Sequence, residues 1–260
     1  MAAENVSILS WNIRWGGKDR LEAILQRIAA TAPDIAVLSE VTGDEAGQAL
    51  KAGLMAQGFT AFTDLPPPGR HLGVLVASKA PLLAVEVLMA PGLNPWHVVA
   101  VEFADCRVVG VYLPWDDRKA PYWALLHEYL LKEHDKPVLV TGDFNTGLSK
   151  LDGSGEALKH ATAMAKLSEF GLYDPWRAAY SETIEYTWGQ GDSGTQRLDY
   201  AFVPHKLGLA DIAVRYSHQE RLDGVSDHSM LLIDVKTAAL VVARQAKAEA
   251  ASSPSEQVPA

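Results

Sequence analysis

Short runs rich in Val, Ile and Leu recur from one end of the chain to the other: Val6–Ile13, Asp34–Val41, Leu72–Ser78, Leu82–Met89, His97–Phe103, Arg107–Leu113, Pro137–Phe144, Gln196–Val203, Asp211–Tyr216 and Met230–Val235. Runs of this length and composition, bounded by turn formers, read as strands. Helical patterns are fewer. The clearest is Lys18–Thr31, where Leu21, Ile24, Leu25 and Ile28 share one face and Pro33 stops the helix. A second, Ala120–Glu133, opens at Pro121 and is expected to bury Tyr122, Leu126, Tyr129 and Leu130; Asp44–Gln57 and Gly155–Phe170 are weaker patterns. Leu72–Met89 and His97–Leu113 each read as two strands with a short break, hence antiparallel hairpins. Many strands spread evenly among few helices predict one α/β (α+β) domain over residues 1–236, with stacked sheets inside and helices outside. Residues 237–260 are Ala-rich and then Ser/Pro-rich, which predicts one helix and a disordered tail.

Composition narrows the class further. Of 260 residues 48% are hydrophobic and 21% charged, which excludes a fibrous or largely disordered chain. With 23 Lys+Arg against 32 Asp+Glu the net charge is −9, so a polyanion would have to find a local basic patch. Cys106, the single cysteine, cannot form an internal disulfide or a cysteine metal site and reads as a core thiol in a reducing compartment. The opening MAAENVSILSWNIR has no basic segment followed by an apolar stretch, and no window approaches about 18 apolar residues. A cytoplasmic monomer without membrane contact is the expectation.

Polar residues close five of the apolar runs: Ser10-Trp11-Asn12, Ser39-Glu40, Gly142-Asp143-Phe144-Asn145, Arg197-Leu198-Asp199-Tyr200 and Ser226-Asp227-His228. One such group is an ordinary strand-end cap. Five of them mark the end of a scaffold where sites are built.

Together with Tyr112-Leu113-Pro114, these groups stand in an order that resembles the endonuclease/exonuclease/phosphatase family, which includes exonuclease III-type abasic endonucleases, deoxyribonuclease I, inositol polyphosphate 5-phosphatases and sphingomyelinases. The resemblance runs from Ser10 to about Val235 and implies a four-layer sandwich of two mostly antiparallel sheets flanked by helices. It also implies hydrolysis of a phosphoester by in-line attack of water, with Mg²⁺ or Mn²⁺ on hard oxygen donors. On that pattern Glu40 would be the main metal ligand, with Asn12 beside it and Asp227 supporting the metal side. Asp143 would orient or deprotonate water and Asn145 would fix that geometry, while Asp199 would hold the ring of His228 and favour its imidazolium. Whether Asp143 or His228 takes the proton stays open. Tyr112 matches the phosphate-touching tyrosine of the exonuclease III branch, where deoxyribonuclease I carries histidine.

Several positions depart from that pattern. Arg14 stands where an acidic or amide residue is usual and is a candidate for a substrate phosphate; Ser39 replaces a common glutamine, and Trp115 replaces an asparagine. Gln196 replaces the tryptophan that walls the pocket for a baseless sugar, which argues against abasic-site specificity. Arg70 and His71 follow a Pro-rich loop that could set them over the site, and the stretch from Trp188 to Gln196 reads as a short Gly-rich loop. Arg118 and Lys119 are candidates for backbone phosphates, with a plain exposed charge pair as the alternative; Trp15, Trp96 and Trp115 could stack on bases or belong to the rim. The remaining histidines, His97 among them, have no partners at metal-ligand spacing and read as structural. The sequence reading is a metal-dependent DNA nuclease, endonucleolytic or 3′-exonucleolytic. Its rivals are a phosphatase or phosphodiesterase on a small molecule or lipid headgroup, and a catalytically silent binding module.

Overall fold

The computed structural model describes residues 4–69, 71–132, 134–148, 150–153 and 158–252. Strand β1 (Asn5–Asn12) shows why its sequence is apolar on both sides of the pleat: Ile8 packs between two sheets while Leu9 and Trp11 face outer helices. The first sheet adds β2 (Ile35–Val41), β3 (Ala61–Phe62), β4 (Gly73–Ser78), β13 (Ile212–Ser217) and β14 (Met230–Lys236), in the order β13-β14-β1-β2-β4-β3. The second contains β5 (Ala84–Val87), β6 (Val98–Glu102), β7 (Arg107–Tyr112), β8 (Val138–Asp143), β9 (Leu172–Tyr173) and β12 (Asp199–Pro204), in the order β5-β6-β7-β8-β12-β9. Each sheet has one parallel pair, β1·β2 and β7·β8, among antiparallel ones.

A long crossover is needed to join parallel neighbours, and α1 (Leu21–Thr31) and α3 (Ala120–Leu131) supply it. On the first sheet, Ile24 and Ile28 of α1 and Leu50 and Leu54 of α2 (Glu45–Ala56) pack on Leu9, Trp11, Ala36 and Leu38. On the second, Trp123, Leu126 and Tyr129 of α3, with Met164 of α4 (Ala161–Ala165), cover Val109, Val111, Val140 and Phe144. The middle layer is Val-rich, with Val37, Val74, Val99, Val108 and Ile233 meeting between the sheets. The result is the expected sandwich of two sheets flanked by helices. Asp44 caps α2 by accepting from the amides of Ala46 and Gly47, and α1 ends at left-handed Ala32 just before Pro33.

Three expectations are corrected. Leu72–Met89 is not a hairpin: β4 already has β2 and β3 on its two edges, so β5 joins the other sheet as an edge strand on β6. In α3 the buried stripe is completed by Trp123, whereas Leu130 is only half-buried. The described part of Gly155–Phe170 becomes helical only at Ala161, continuing as a 3₁₀ turn over Lys166–Phe170. His97–Leu113 does hold the β6–β7 hairpin. Two short helices, α5 (Pro175–Ala179) and α6 (Gln219–Leu222), complete the second half of the chain. Helix α7 (Thr237–Ser252) follows β14 and sets Leu240 and Ala243 against the middle layer; the tail over 253–260 lies outside the described residues. Cys106 is buried in that layer, and burial pushes its thiol up to about 12. Among the described residues no helix is long and apolar enough to cross a membrane.

Candidate active site

Backbone register places the first group of residues. Tyr112 lies opposite Asp143 across β7·β8, and Asp143 lies opposite Asp199 across β8·β12, so three chemically active side chains form one row at an end of the second sheet. The first sheet brings Asn12 from the end of β1 and Glu40 from β2. Between Leu38 and Val41 the pairing with β4 takes in one extra residue, and Glu40 adopts a left-handed φ of 60°. This bulge breaks the alternation of β2 and turns Glu40 toward the other sheet. Arg14, Trp15 and Asn145 also have left-handed backbones, a cluster of strained non-glycine residues around one place.

The amide nitrogen of Asn12 donates to Glu40 Oε1 at 3.0 Å and to Asp143 Oδ2 at 2.9 Å, tying the two sheets together. Its oxygen accepts the Arg14 amide at 2.9 Å. Glu40 also accepts from the Trp15 amide at 2.8 Å and, more weakly, from the Tyr112 hydroxyl at 3.3 Å. Tyr112 is held well above the ordinary tyrosine range by burial and then by Glu40, Asp143 and Asp227, so it presents a neutral hydroxyl. Asn145 donates its backbone amide to Asp143 Oδ1 at 2.9 Å and its side-chain nitrogen to Asp143 Oδ2 at 3.2 Å and Leu113 O at 2.8 Å.

His228 joins the remaining carboxylates. Its Nδ1 is 2.9 Å from Asp199 Oδ2 and its Nε2 is 3.8 Å from Asp143 Oδ2. Burial alone would lower its pKa, but Asp199 and Asp143 outweigh that and favour the imidazolium. Asp143 moves above the usual carboxylate range, because burial outweighs the attraction of His228. The loop carrying His228 is fastened to β1: Trp11 Nε1 donates to His228 O at 3.0 Å, Ser226 Oγ donates to Asn12 O at 2.7 Å, and the His228 amide donates to Ser226 Oγ at 3.1 Å.

Glu40, Tyr112, Asp143, Asn145, Asp227 and His228 all open on one cavity of about 500 Å³. Asn12 is fully buried behind Glu40 and Asp143, off the cavity wall. Arg14 Nε lies 3.7 Å from Asp227 Oδ2. His71 and Trp115 line the cavity; Arg70 lies outside the described residues. Gln196 does not line it. The stretch expected to be a Gly-rich loop is a hairpin of β10 (Trp188–Gln190) and β11 (Ser193–Gln196), in which Trp188, paired with Gln196, faces the cavity instead.

Thr187 escaped the sequence reading, and Lys119 and His97, read as a candidate for backbone phosphates and as a structural histidine, take other places. Thr187 Oγ1 donates to Asp199 Oδ2 at 2.6 Å and accepts the Leu198 and Asp199 amides. Lys119 is fully buried under the Asp143–Asn145 turn, where Nζ donates to Asn145 O and, at 3.2 Å, to Thr146 Oγ1; it is no exposed phosphate-binding charge. His97 lines the cavity, with ring centroids 5.0 Å from Tyr112 and 4.8 Å from Tyr122, and burial, then Arg118, pushes it down to about 4, so its ring is neutral. None of these has a neighbour in sequence that signals its partner.

The oxygen-rich wall bears on metal binding. Three carboxylates on the cavity wall (Glu40, Asp143 and Asp227), with Asp199 buried behind His228, face Arg14 and a protonated His228, leaving an excess of negative charge on hard donors with no thiolate among them. That donor set fits a hard divalent cation. Asp143, Asp199 and His228 have ligand atoms within 4.8 Å of one another, but the Asp199 oxygen nearest the ring already bonds His228 Nδ1 and Thr187, so the open donors are Glu40 and Asp227.

Comparison with known proteins finds that residues 9–228 match the Endonuclease/Exonuclease/phosphatase family. No curated protein is a significant match. Among solved structures, the 3′ phosphatase NExo from Neisseria bound to product DNA hairpin is similar at 22% identity and a TM-score of 0.76, over 89% of this chain and 99% of that one. An AP endonuclease from Archaeoglobus fulgidus is similar at 18% identity and 0.76, over 89% and 99%. The 3′-5′ exonuclease NExo from Neisseria meningitidis is similar at 23% and 0.75, over 89% and 100%. At these identities the likeness shows a shared fold.

Proposed function

The chain belongs to the Endonuclease/Exonuclease/phosphatase family and is a hydrolase of phosphoester bonds, and on that premise we propose that it is a divalent-metal-dependent nuclease that cleaves DNA by direct attack of water. The observation that carries this reading is the Asp199–His228–Asp143 chain opening on the same cavity as Glu40 and Asp227. Glu40 and Asp227 would hold Mg²⁺ or Mn²⁺, with Asn12 bracing Glu40 from behind. Such an ion, when bound, supplies Lewis-acid stabilisation of the charge that builds on a phosphate.

Asp143 is the base of this proposal. Its raised pKa suits proton abstraction near neutrality, and two donors from Asn145 fix its plane. His228, kept charged by Asp199, is then a cationic donor beside Asp143 and stabilises the pentavalent transition state. The neutral hydroxyl of Tyr112 adds a donor to the non-bridging oxygens, while Asn145 spends its donors on holding Asp143 and Leu113 O in place. The likeness to a 3′ phosphatase bound to a product DNA hairpin and to an AP endonuclease supports nucleic acid as substrate.

The test is an end-labelled duplex with one abasic site, incubated in Mg²⁺ beside an Asp143→Asn control and resolved on a denaturing gel. Incision at the abasic site alone would make the enzyme a repair endonuclease despite Gln196. A ladder from the 3′ end would make it an exonuclease. No cleavage above the control would overturn the DNA reading in favour of a small phosphoester.

A further inference from the structure

Two tryptophans stand at the catalytic cavity with nothing to cover them. Trp15 is 56% exposed and Trp115 is 74% exposed, and both line the cavity that Glu40, Asp143 and His228 share. Among the described residues no ring stacks on either indole, and neither indole nitrogen donates a hydrogen bond within the protein. Large aromatics left in water beside a reactive centre are unsatisfied binding surface. Trp15 is also held in an unfavourable conformation, φ 52°, with its amide fixed to Glu40 at 2.8 Å, so the ring is placed relative to the reacting end of the cavity.

The charge around these rings restricts what they can bind. Among the described residues Arg118 is the one Lys or Arg on the cavity wall, and Asp116 holds its Nε at 3.0 and 2.9 Å from both carboxylate oxygens. Arg14, nearby, already faces Asp227. A protein that grips a duplex through its backbone needs several free cations along the phosphates. Here the affinity has to come from the rings. Bases inside a duplex are already stacked on one another and hidden from such a surface, whereas an unpaired base offers a free face.

Resting on the nuclease reading, we infer that Trp15 and Trp115 form a stacking clamp for unpaired nucleobases flanking the scissile phosphate, so that the preferred substrate is a single-stranded or frayed end of nucleic acid. The clamp reads the presence of a base, not its identity, because every base has a π face. Binding should be weakly salt-dependent: at about 0.7 per phosphate neutralised on a single strand, one or two contacts give a log–log slope no steeper than about −1.5.

The experiment measures binding apart from cleavage. Asp143→Asn protein in Mg²⁺ is titrated by fluorescence anisotropy into a labelled single-stranded oligonucleotide, the same backbone with its 3′-terminal bases replaced by tetrahydrofuran, and a blunt duplex. The base-containing strand should bind about tenfold tighter than either comparator, and Trp115→Ala in the same background should remove that difference while Trp115→Phe retains most of it. Trp15→Ala should do the same, with unchanged Mg²⁺ affinity by calorimetry showing that Glu40 is intact. Equal affinity for the base-containing and base-free strands, or no effect of either tryptophan change, would overturn the clamp. Binding to phosphatidylcholine vesicles in place of any strand would also overturn it, in favour of a quaternary ammonium headgroup. The catalytic reading fails separately: wild-type protein that binds strands with this base dependence yet hydrolyses no phosphodiester keeps the clamp and loses the nuclease.

Discussion

At the scale of single residues, the site depends on groups that fix other groups. Lys119 is the clearest case, since its ammonium holds the carbonyl of Asn145 and so the turn that presents Asp143. Replacing it by Met should lower kcat by roughly 10- to 100-fold with KM nearly unchanged, because geometry is lost while the cavity wall remains. Burial pushes this lysine down from 10.5 to about 8, so between those values the folded protein binds fewer protons than the unfolded chain. Stability conferred at Lys119 therefore rises with pH from about 8 to 10.5, and urea titrations at pH 7.5 and 10.5 should show wild type gaining about 2–3 kcal/mol on Lys119→Met. A difference that stays flat with pH would mean that the ammonium is not buried as described. Asp199→Asn should cost 10²- to 10⁴-fold in kcat, on the order expected for losing a positioned acid–base partner. What activity remains should shift to lower pH, where the ring of His228 is protonated without its carboxylate. The sequence carried Asp143, Asn145, Asp199 and His228 legibly, because polar side chains closing apolar runs are conspicuous. Thr187 and the roles of Lys119 and His97 were illegible for a physical reason: their partners lie 11 to 27 residues away or are ring faces, and nothing local marks them.

Secondary-structure elements contribute register. Tyr112, Asp143 and Asp199 are aligned because β7, β8 and β12 pair without a slip, and Gly142 makes that pairing possible. Its φ is 148°, and a Cβ there would sit 1.9 Å from Val111 O. Gly142→Ala should therefore destabilise the protein by more than about 3 kcal/mol, seen as a collapse of the denaturation midpoint or loss of soluble protein. An unchanged midpoint would show that the strands can part at no cost. The strands themselves were readable from their Val-rich runs, and so was the β6–β7 hairpin. The pairing of β4 was not, since its two edges are filled by strands from elsewhere in the chain and short breaks in sequence do not reveal that. The bulge at Glu40 was equally hidden: the run Ile35–Val41 shows no glycine or proline to announce one extra residue. Trp188 could not be weighed against Gln196 until the stretch between them proved to be a hairpin that faces the two residues to each other.

For the molecule as a whole, the relevant quantity is charge concentrated at one end of a sandwich whose total is already −9. Three carboxylates, Glu40, Asp143 and Asp227, line one cavity, and His228 and Arg14 offset them only in part, so a divalent cation held there would relieve their repulsion and favour the folded state. Mg²⁺ or Mn²⁺ at about 100 times its Kd should stabilise the fold by about 2.7 kcal/mol, a rise in Tm of roughly 5–10 °C. Glu40→Gln should abolish most of that rise, and differential scanning calorimetry with and without EDTA reads it directly. No shift in wild-type protein at millimolar Mg²⁺ would remove the metal from the mechanism. The layered fold was legible in the distribution of strands and helices; the concentration of acid at one pole became visible only once both sheets could be seen to end there.

Asn12 reaches from one sheet to carboxylates on both, and the dyad of His228 with Asp143 likewise spans the interface between the sheets. Catalysis is thus a property of the docked sandwich and of neither half. A partly denatured ensemble that kept its secondary structure but let the sheets drift apart would retain far-UV circular dichroism and lose turnover at once. Enzymatic activity in this protein counts native molecules, which makes it a sharper probe of inter-sheet packing than any spectroscopic signal from the strands themselves.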